Sequence, residues 1–183
     1  MTRDLRTLES RIDGDLNRPF QLANGQTVYP LDSRLKTVDS TARKITTDSH
    51  EKGVSVTEAA GSIKDNLRYT YTLDEATYGK GVDTVLNGLD EMGYERVAVK
   101  NFWMEEDGYT AVHSIYRTAD GQIFEVQFHT PRTLETKEVI SHPIYELQRA
   151  VPADSPEWQE YQEEVDAAWR VVSDDPPNLA GLP

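Results

Sequence analysis

The stretch from Ala111 to His129 constrains the fold most. Ile123–His129 alternates apolar with polar residues, Ala111–Thr118 reads as its partner strand, and Ala119-Asp120-Gly121-Gln122 between them carries the Asp-Gly signal of a tight turn. The pattern predicts an antiparallel hairpin and therefore a sheet. Period two also sorts the side chains of the second strand. Phe124, Val126 and Phe128 share one face, and Glu125 and Gln127 share the other. The first set needs a core. The second leaves a carboxylate and an amide pointing at an open face.

The rest of the chain supplies what covers that core. Leu5, Leu8, Ile12 and Leu16 have helical spacing, so residues 2–20 predict a helix ended by Arg18-Pro19. Residues 32–50 predict a second helix, capped by Asp32 or Ser33, with Leu35, Val38, Ala42 and Ile45 as its apolar stripe. A short helix is expected around Val56–Ala60. Leu67–Leu73 and Arg96–Phe102 read as strands. Between them Val82, Val85, Leu86, Leu89 and Met92 form an amphipathic helix stopped at Gly93. Residues 132–149 predict a helix interrupted at Pro143, and 156–173 an acidic final helix. Asp174–Pro183 reads as a disordered Pro-rich tail. The expected class is α+β, with a mixed, largely antiparallel sheet and helices packed on it. The expected division is 1–150 (N-terminal helix 2–20, core 30–149) and 151–183.

Charge narrows the partners. With 19 Lys and Arg against 32 Asp and Glu, the formal net charge is −13. A chain this acidic repels nucleic acid at long range, so nucleic acid is not the expected ligand. A small nucleotide carried with magnesium needs only a few well-placed cations. Zero cysteines exclude disulfides and thiolate metal sites. There is no apolar run long enough to span a membrane and no signal-peptide core at the start.

Three polar groups stand where the core pattern does not need them. Lys36, Ser40 and Lys44 fall on one face of the second helix, with Arg34 beside them, and can hold a triphosphate. Asp65, just before the strand that carries Arg68, can hold magnesium through its carboxylate. Gly108-Tyr109-Thr110-Ala111-Val112-His113 leads into the hairpin whose second strand carries Glu125 and Gln127. Each group taken alone also fits a plain structural role: a solvated basic helix face, a turn aspartate, a half-exposed hairpin.

Taken in order, the three resemble the RelA/SpoT-type alarmone synthetases over roughly residues 30–149. That family has an R-x-K-x-x-x-S helix, matched by Arg34, Lys36, Ser40 and Lys44. It has an Asp near a strand, matched by Asp65. Its G-Y-x-x-[IL]-H strand is matched by Gly108, Tyr109 and His113, and its E-[VI]-Q-[IL] strand by Glu125 and Gln127. The helix with Lys137, Glu138, His142 and Tyr145 looks like the segment that follows. The chain departs from the family in three places. Asp65 precedes Arg68 by three positions where five is usual. Residues 100–107 are shorter and more acidic than the usual loop, and His129 stands where an Arg is usual.

The resemblance implies a nucleotidyltransferase-like synthetase fold and a pyrophosphokinase. Such an enzyme moves the β,γ-pyrophosphate of ATP to the 3′-hydroxyl of a purine nucleotide. It implies Mg2+ held by Asp65 and Glu125, with Glu125 also accepting the hydroxyl proton. Arg34, Lys36, Ser40, Lys44 and Arg68 would bind ATP. Tyr109 would stack on the acceptor base, with Lys100, His113 and Gln127 on its ribose or phosphates. The altered loop before Gly108 favours an adenosine acceptor over GDP or GTP, and tRNA ranks last. No hydrolase or regulatory segment is visible. The compact form resembles the family's toxin branch, which implies action in a bacterial cytoplasm, delivery as the C-terminal part of a secreted effector, and an immunity or antitoxin partner. The rival expectation is a degenerate module that binds nucleotide, or docks a protein through its acidic final helix, without catalysis.

Overall fold

The computed structural model describes residues 10–16, 19, 21–23, 37–63, 67–104, 108–153 and 155–183. Four strands carry the fold: β1 (Arg68–Thr72), β2 (Glu95–Asn101), β3 (Val112–Arg117) and β4 (Ile123–His129). Their order across the sheet is β1-β4-β3-β2. The predicted hairpin is β3–β4, closed by Thr118 N–H on the Gln122 carbonyl at 2.9 Å, with Gly121 at φ +84°. β2 joins β3 antiparallel, whereas β1 lies parallel to β4 with Arg68 opposite Glu125. The sheet is therefore mixed and largely antiparallel, as expected.

One face is the core. Tyr69, Tyr71, Tyr116, Phe124, Val126 and Phe128 pack there, and helix α3 (Tyr78–Glu91) lays Val82, Val85, Leu86 and Leu89 in the same cluster. Met92, expected on that stripe, is exposed because the helix has already ended at Glu91. Two buried phenols are satisfied by backbone. Tyr78 donates to the Phe128 carbonyl at 2.7 Å, and Tyr116 to the Leu86 carbonyl at 3.1 Å. Ile12 and Leu16, from the helical residues 10–16, close the cluster. Of the expected helix end at Arg18-Pro19, Arg18 lies outside the described residues and Pro19 is itself helical. Residues 19, 21 and 22 are helical, and Ala23 N–H reaches the Pro19 carbonyl at 3.0 Å. A proline has no N–H to lose at the start of a turn.

Helix α1 (Val38–Lys52) begins at Thr37, whose side chain accepts from Ser40 N–H, and stops at Gly53 with φ +63°. The cap expected at Asp32 or Ser33, and Leu35 of the expected stripe, lie outside the described residues. None of the helix's residues is buried, and Val38 is exposed. Val38, Ala42 and Ile45 are its only apolar side chains, too few to seat a fifteen-residue helix in a core. Helix α2 (Val56–Ser62) starts with a Ser55–Glu58 capping box.

After β4 come α4 (Pro131–Glu135), a π-helical stretch over Thr136–Ser141, and α5 (His142–Gln148). The expected break at Pro143 falls earlier. Pro143 sits in the first turn of α5, and the irregularity precedes it as a widened π turn. Helix α6 (Pro156–Ser173) has the expected bounds.

The C-terminal segment corrects the sequence expectation outright. Asp174–Pro183 is packed, not disordered. Asn178 N–H donates to the Glu75 carbonyl at 2.8 Å and Gly79 N–H to the Asn178 carbonyl at 2.9 Å, while Leu179 and Leu182 lie against the core. Composition suggested disorder. Two leucines and a row of backbone hydrogen bonds outweigh it.

Candidate active site

The polar face of the sheet is set by register. Arg68 lies opposite Glu125, Thr70 opposite Gln127, Gln127 opposite His113, and His113 opposite Lys100. Residues directly opposite share a face. Four strands thus gather their polar side chains into one patch, although they come from distant parts of the chain.

Glu125 is its centre. Its Oε2 accepts from Arg68 Nε at 3.0 Å and from Gln127 Nε2 at 2.9 Å, and its Oε1 faces His113 Nδ1 at 3.3 Å. Gln127 Oε1 accepts in turn from Lys137 Nζ at 3.2 Å. Lys137 reaches inward from the π turn and also pairs with Glu138 at 3.1 Å. Burial pushes the Lys137 ammonium below its usual value, with the Glu138 charge opposing that shift. Glu125 and Gln127 are 8% and 4% exposed, so the face expected to be open is roofed at this point by Arg68, His113 and Lys137.

Tyr109 joins this patch from the loop before β3. Its hydroxyl lies 2.8 Å from His113 Nε2 and 3.3 Å from His129 Nε2. Its ring meets Phe102 at 5.2 Å and Trp169 of α6 at 4.8 Å, both edge to face. Burial, reinforced by the Glu125 charge, pushes the phenol up, so it keeps its proton. Gly108, at φ +85°, faces Trp169, and its carbonyl accepts from Ser173 Oγ at 3.4 Å. His129 is fully buried, and burial holds it well below an ordinary histidine, hence neutral.

The structure therefore brings together Arg68, Tyr109, His113, Glu125 and Gln127, with Lys100 exposed at the edge opposite His113. Ser40 and Lys44 lie one turn apart on the half-buried side of α1. Arg34, Lys36 and Asp65 lie outside the described residues. Two contributors had no assigned role in the sequence. Lys137 needs the π turn to point inward, and Trp169 is sixty residues from Tyr109 in the chain; neither periodicity nor spacing signals such a contact. Among the described residues no group of three or more His, Asp or Glu is placed to hold a metal ion. Glu125 offers one hard oxygen ligand. That fits magnesium in the form in which one or two carboxylates and substrate phosphates complete the shell.

A mixed four-stranded sheet with helices on its core face and a charged polar face defines an α+β protein. More closely, the chain has the fold of the small alarmone synthetases. It is similar to a GTP pyrophosphokinase family protein from Streptococcus pneumoniae, with 14% identity, TM-score 0.62, and 93% of this chain and 82% of that one covered. It is similar to small alarmone synthetase 1 from Bacillus subtilis bound to its product pppGpp, with 15% identity, TM-score 0.60, and coverage of 93% and 88%. It is also similar to the Type VI effector Tas1, solved with its immunity protein, with 21% identity, TM-score 0.55, and coverage of 91% and 93%. No family model and no curated protein matches the chain.

Proposed function

We infer that this protein is a pyrophosphokinase that transfers the β,γ-pyrophosphate of ATP to the 3′-hydroxyl of a purine nucleotide, an adenosine nucleotide first. The observation that carries this is the Glu125 cluster: a nearly buried carboxylate held by Arg68, Gln127 and His113, with the Lys137 cation one residue away. An anion so placed can take a proton from a hydroxyl, and the cations around it suit a ligand rich in phosphate.

In the reaction the ribose O3′ forms a bond to the β-phosphorus, the bond from that phosphorus to the oxygen bridging to the α-phosphate breaks, and AMP leaves with that oxygen. Glu125 takes the hydroxyl proton. Arg68, with Arg34, flanks the adenine of ATP, while Lys36, Ser40 and Lys44 hold its phosphates. Tyr109 and Trp169 wall the acceptor side, and Lys100, His113 and Gln127 orient the acceptor. Glu125 and Asp65 would hold magnesium, which would screen the phosphate charge.

The likeness to an effector crystallised with its immunity protein supports a toxin that drains ATP in a bacterial cytoplasm, after delivery as the C-terminal part of a secreted protein, and that is restrained by an immunity protein. No helix among the described residues is long and apolar enough to cross a membrane. A second reading draws on the same cluster. Both Glu125 oxygens already have partners, as in a nucleotide-binding module without turnover. Purified protein with ATP, magnesium and one acceptor at a time separates the two. AMP release with a pyrophosphorylated acceptor supports the enzyme. A raised melting temperature with ATP and no AMP supports the module.

A further inference from the structure

His129 is fully buried beside the cluster. Its place in a hydrogen-bond chain gives it a task. The Glu125 carboxylate can only accept, so His113 Nδ1, 3.3 Å from its Oε1, carries the hydrogen. With one hydrogen on the ring, His113 Nε2 accepts from the Tyr109 hydroxyl at 2.8 Å. Having spent its proton, Tyr109 accepts from His129 Nε2–H at 3.3 Å. The bare Nδ1 of neutral His129 then accepts from the Thr133 hydroxyl at 3.0 Å, while Thr133 Oγ1 accepts from Thr130 N–H at 2.9 Å and the Thr130 carbonyl accepts from Leu134 N–H at 3.0 Å.

We propose that His129 is the positioning residue of this site: through the Tyr109 hydroxyl it fixes the orientation and tautomer of His113, and so which ring nitrogen faces Glu125. The chain runs from a helix cap (Thr130–Thr133), through the rings of His129, Tyr109 and His113, to the reacting carboxylate. The backbone start of α4 thus sets the geometry of a side chain on β3. Metal sites use the same device when an outer partner fixes the tautomer of a ligating histidine. The proposal rests on the pyrophosphokinase reading only for its kinetic consequence.

The test has two arms. In the first, ring-nitrogen NMR follows the chain's four histidines in the wild type, in Tyr109→Phe and in His129→Gln. His129 should show the Nε2–H tautomer and His113 the Nδ1–H tautomer. Tyr109→Phe keeps the ring but deletes the hydroxyl, and should shift the His113 nitrogens while His50 and His142 stay put. A His129 carrying its hydrogen on Nδ1, or His113 signals unmoved in Tyr109→Phe, would overturn the proposal.

In the second arm, Tyr109→Phe and His129→Phe should each lower kcat about tenfold, with KM for ATP changed less than about twofold. The double variant should fall no further than the worse single one, because both cut the same chain. Losses that multiply, or a full-rate His129→Phe, would contradict it. His129→Gln, which can still offer a donor, should recover part of the rate. It also carries the test if His129→Phe does not fold. If the wild type transfers nothing to any acceptor, the pyrophosphokinase reading fails and the NMR arm alone decides the role of His129.

Discussion

At Glu125, two oxygens meet three donors, and the chemistry proposed here asks that carboxylate to take a proton. Glu125→Gln keeps the shape and the hydrogen bond to Gln127 but removes the base. Turnover should fall by about 10² or more while the circular-dichroism melt stays cooperative. Full activity in that variant would remove Glu125 from its role. His129 gives a pH signature with a definite sign. Folded, it is held neutral by burial. Unfolded, it takes a proton near pH 6.5. Above that pH both states are neutral and this group adds no pH dependence. Below it only the unfolded chain binds the proton, so stability drops by up to about 1.4 kcal/mol per pH unit until the depressed folded value is reached. Melting temperatures measured from pH 7 down to pH 5 should fall, and His129→Gln should flatten that slope. Much of this patch was legible in the sequence. Period two alone put Glu125 beside Gln127, and the Asp120-Gly121 turn brought His113 across from them. Their near-complete burial was not legible, because Arg68 reaches them from 57 residues away and Lys137 from a π turn that periodicity does not signal.

Among the elements, the C-terminal segment misled the sequence reading most. Three prolines and two acids suggest disorder, yet Gly79 is shaped for this segment. A Cβ there would meet the Ala180 carbonyl oxygen at 2.5 Å and the Leu179 carbonyl carbon at 2.7 Å. Gly79→Ala must displace the segment or bend α3, a cost of about 1–3 kcal/mol. The melting temperature should fall by several degrees, at about 2–4 °C per kcal/mol for a chain of this size. An unchanged melt would mean the segment is not held there. Arg132 ties the same segment down, with Nε on Glu75 at 2.6 Å and a terminal nitrogen on the Asp175 carbonyl at 2.6 Å. Arg132 and Glu75 are each more than a third exposed and Asp175 more so, so Arg132→Ala should cost less than Gly79→Ala, about 1 kcal/mol or below. The π turn at Thr136–Ser141 was equally invisible. Pro143 announced a disturbance, but not that the preceding turn would widen and send Lys137 inward.

For the whole molecule, the α+β class, the β3–β4 hairpin and the bounds of α6 were all readable from periodicity and capping, because each is a local signal. The parallel β1–β4 pairing was not, since it joins residues 57 positions apart through register alone. The charge of −13 belongs to this scale as well. Repulsion of polyanions predicts that a tRNA acceptor is used poorly beside a free nucleotide, and that added salt narrows the gap by screening. The central claim is the transfer itself. Its most direct measurement is product resolution after incubating the purified protein with ATP, magnesium and, in turn, AMP, ADP, ATP, GDP and GTP. Release of AMP with a pyrophosphorylated adenosine nucleotide is the result predicted. No AMP with any acceptor would contradict it.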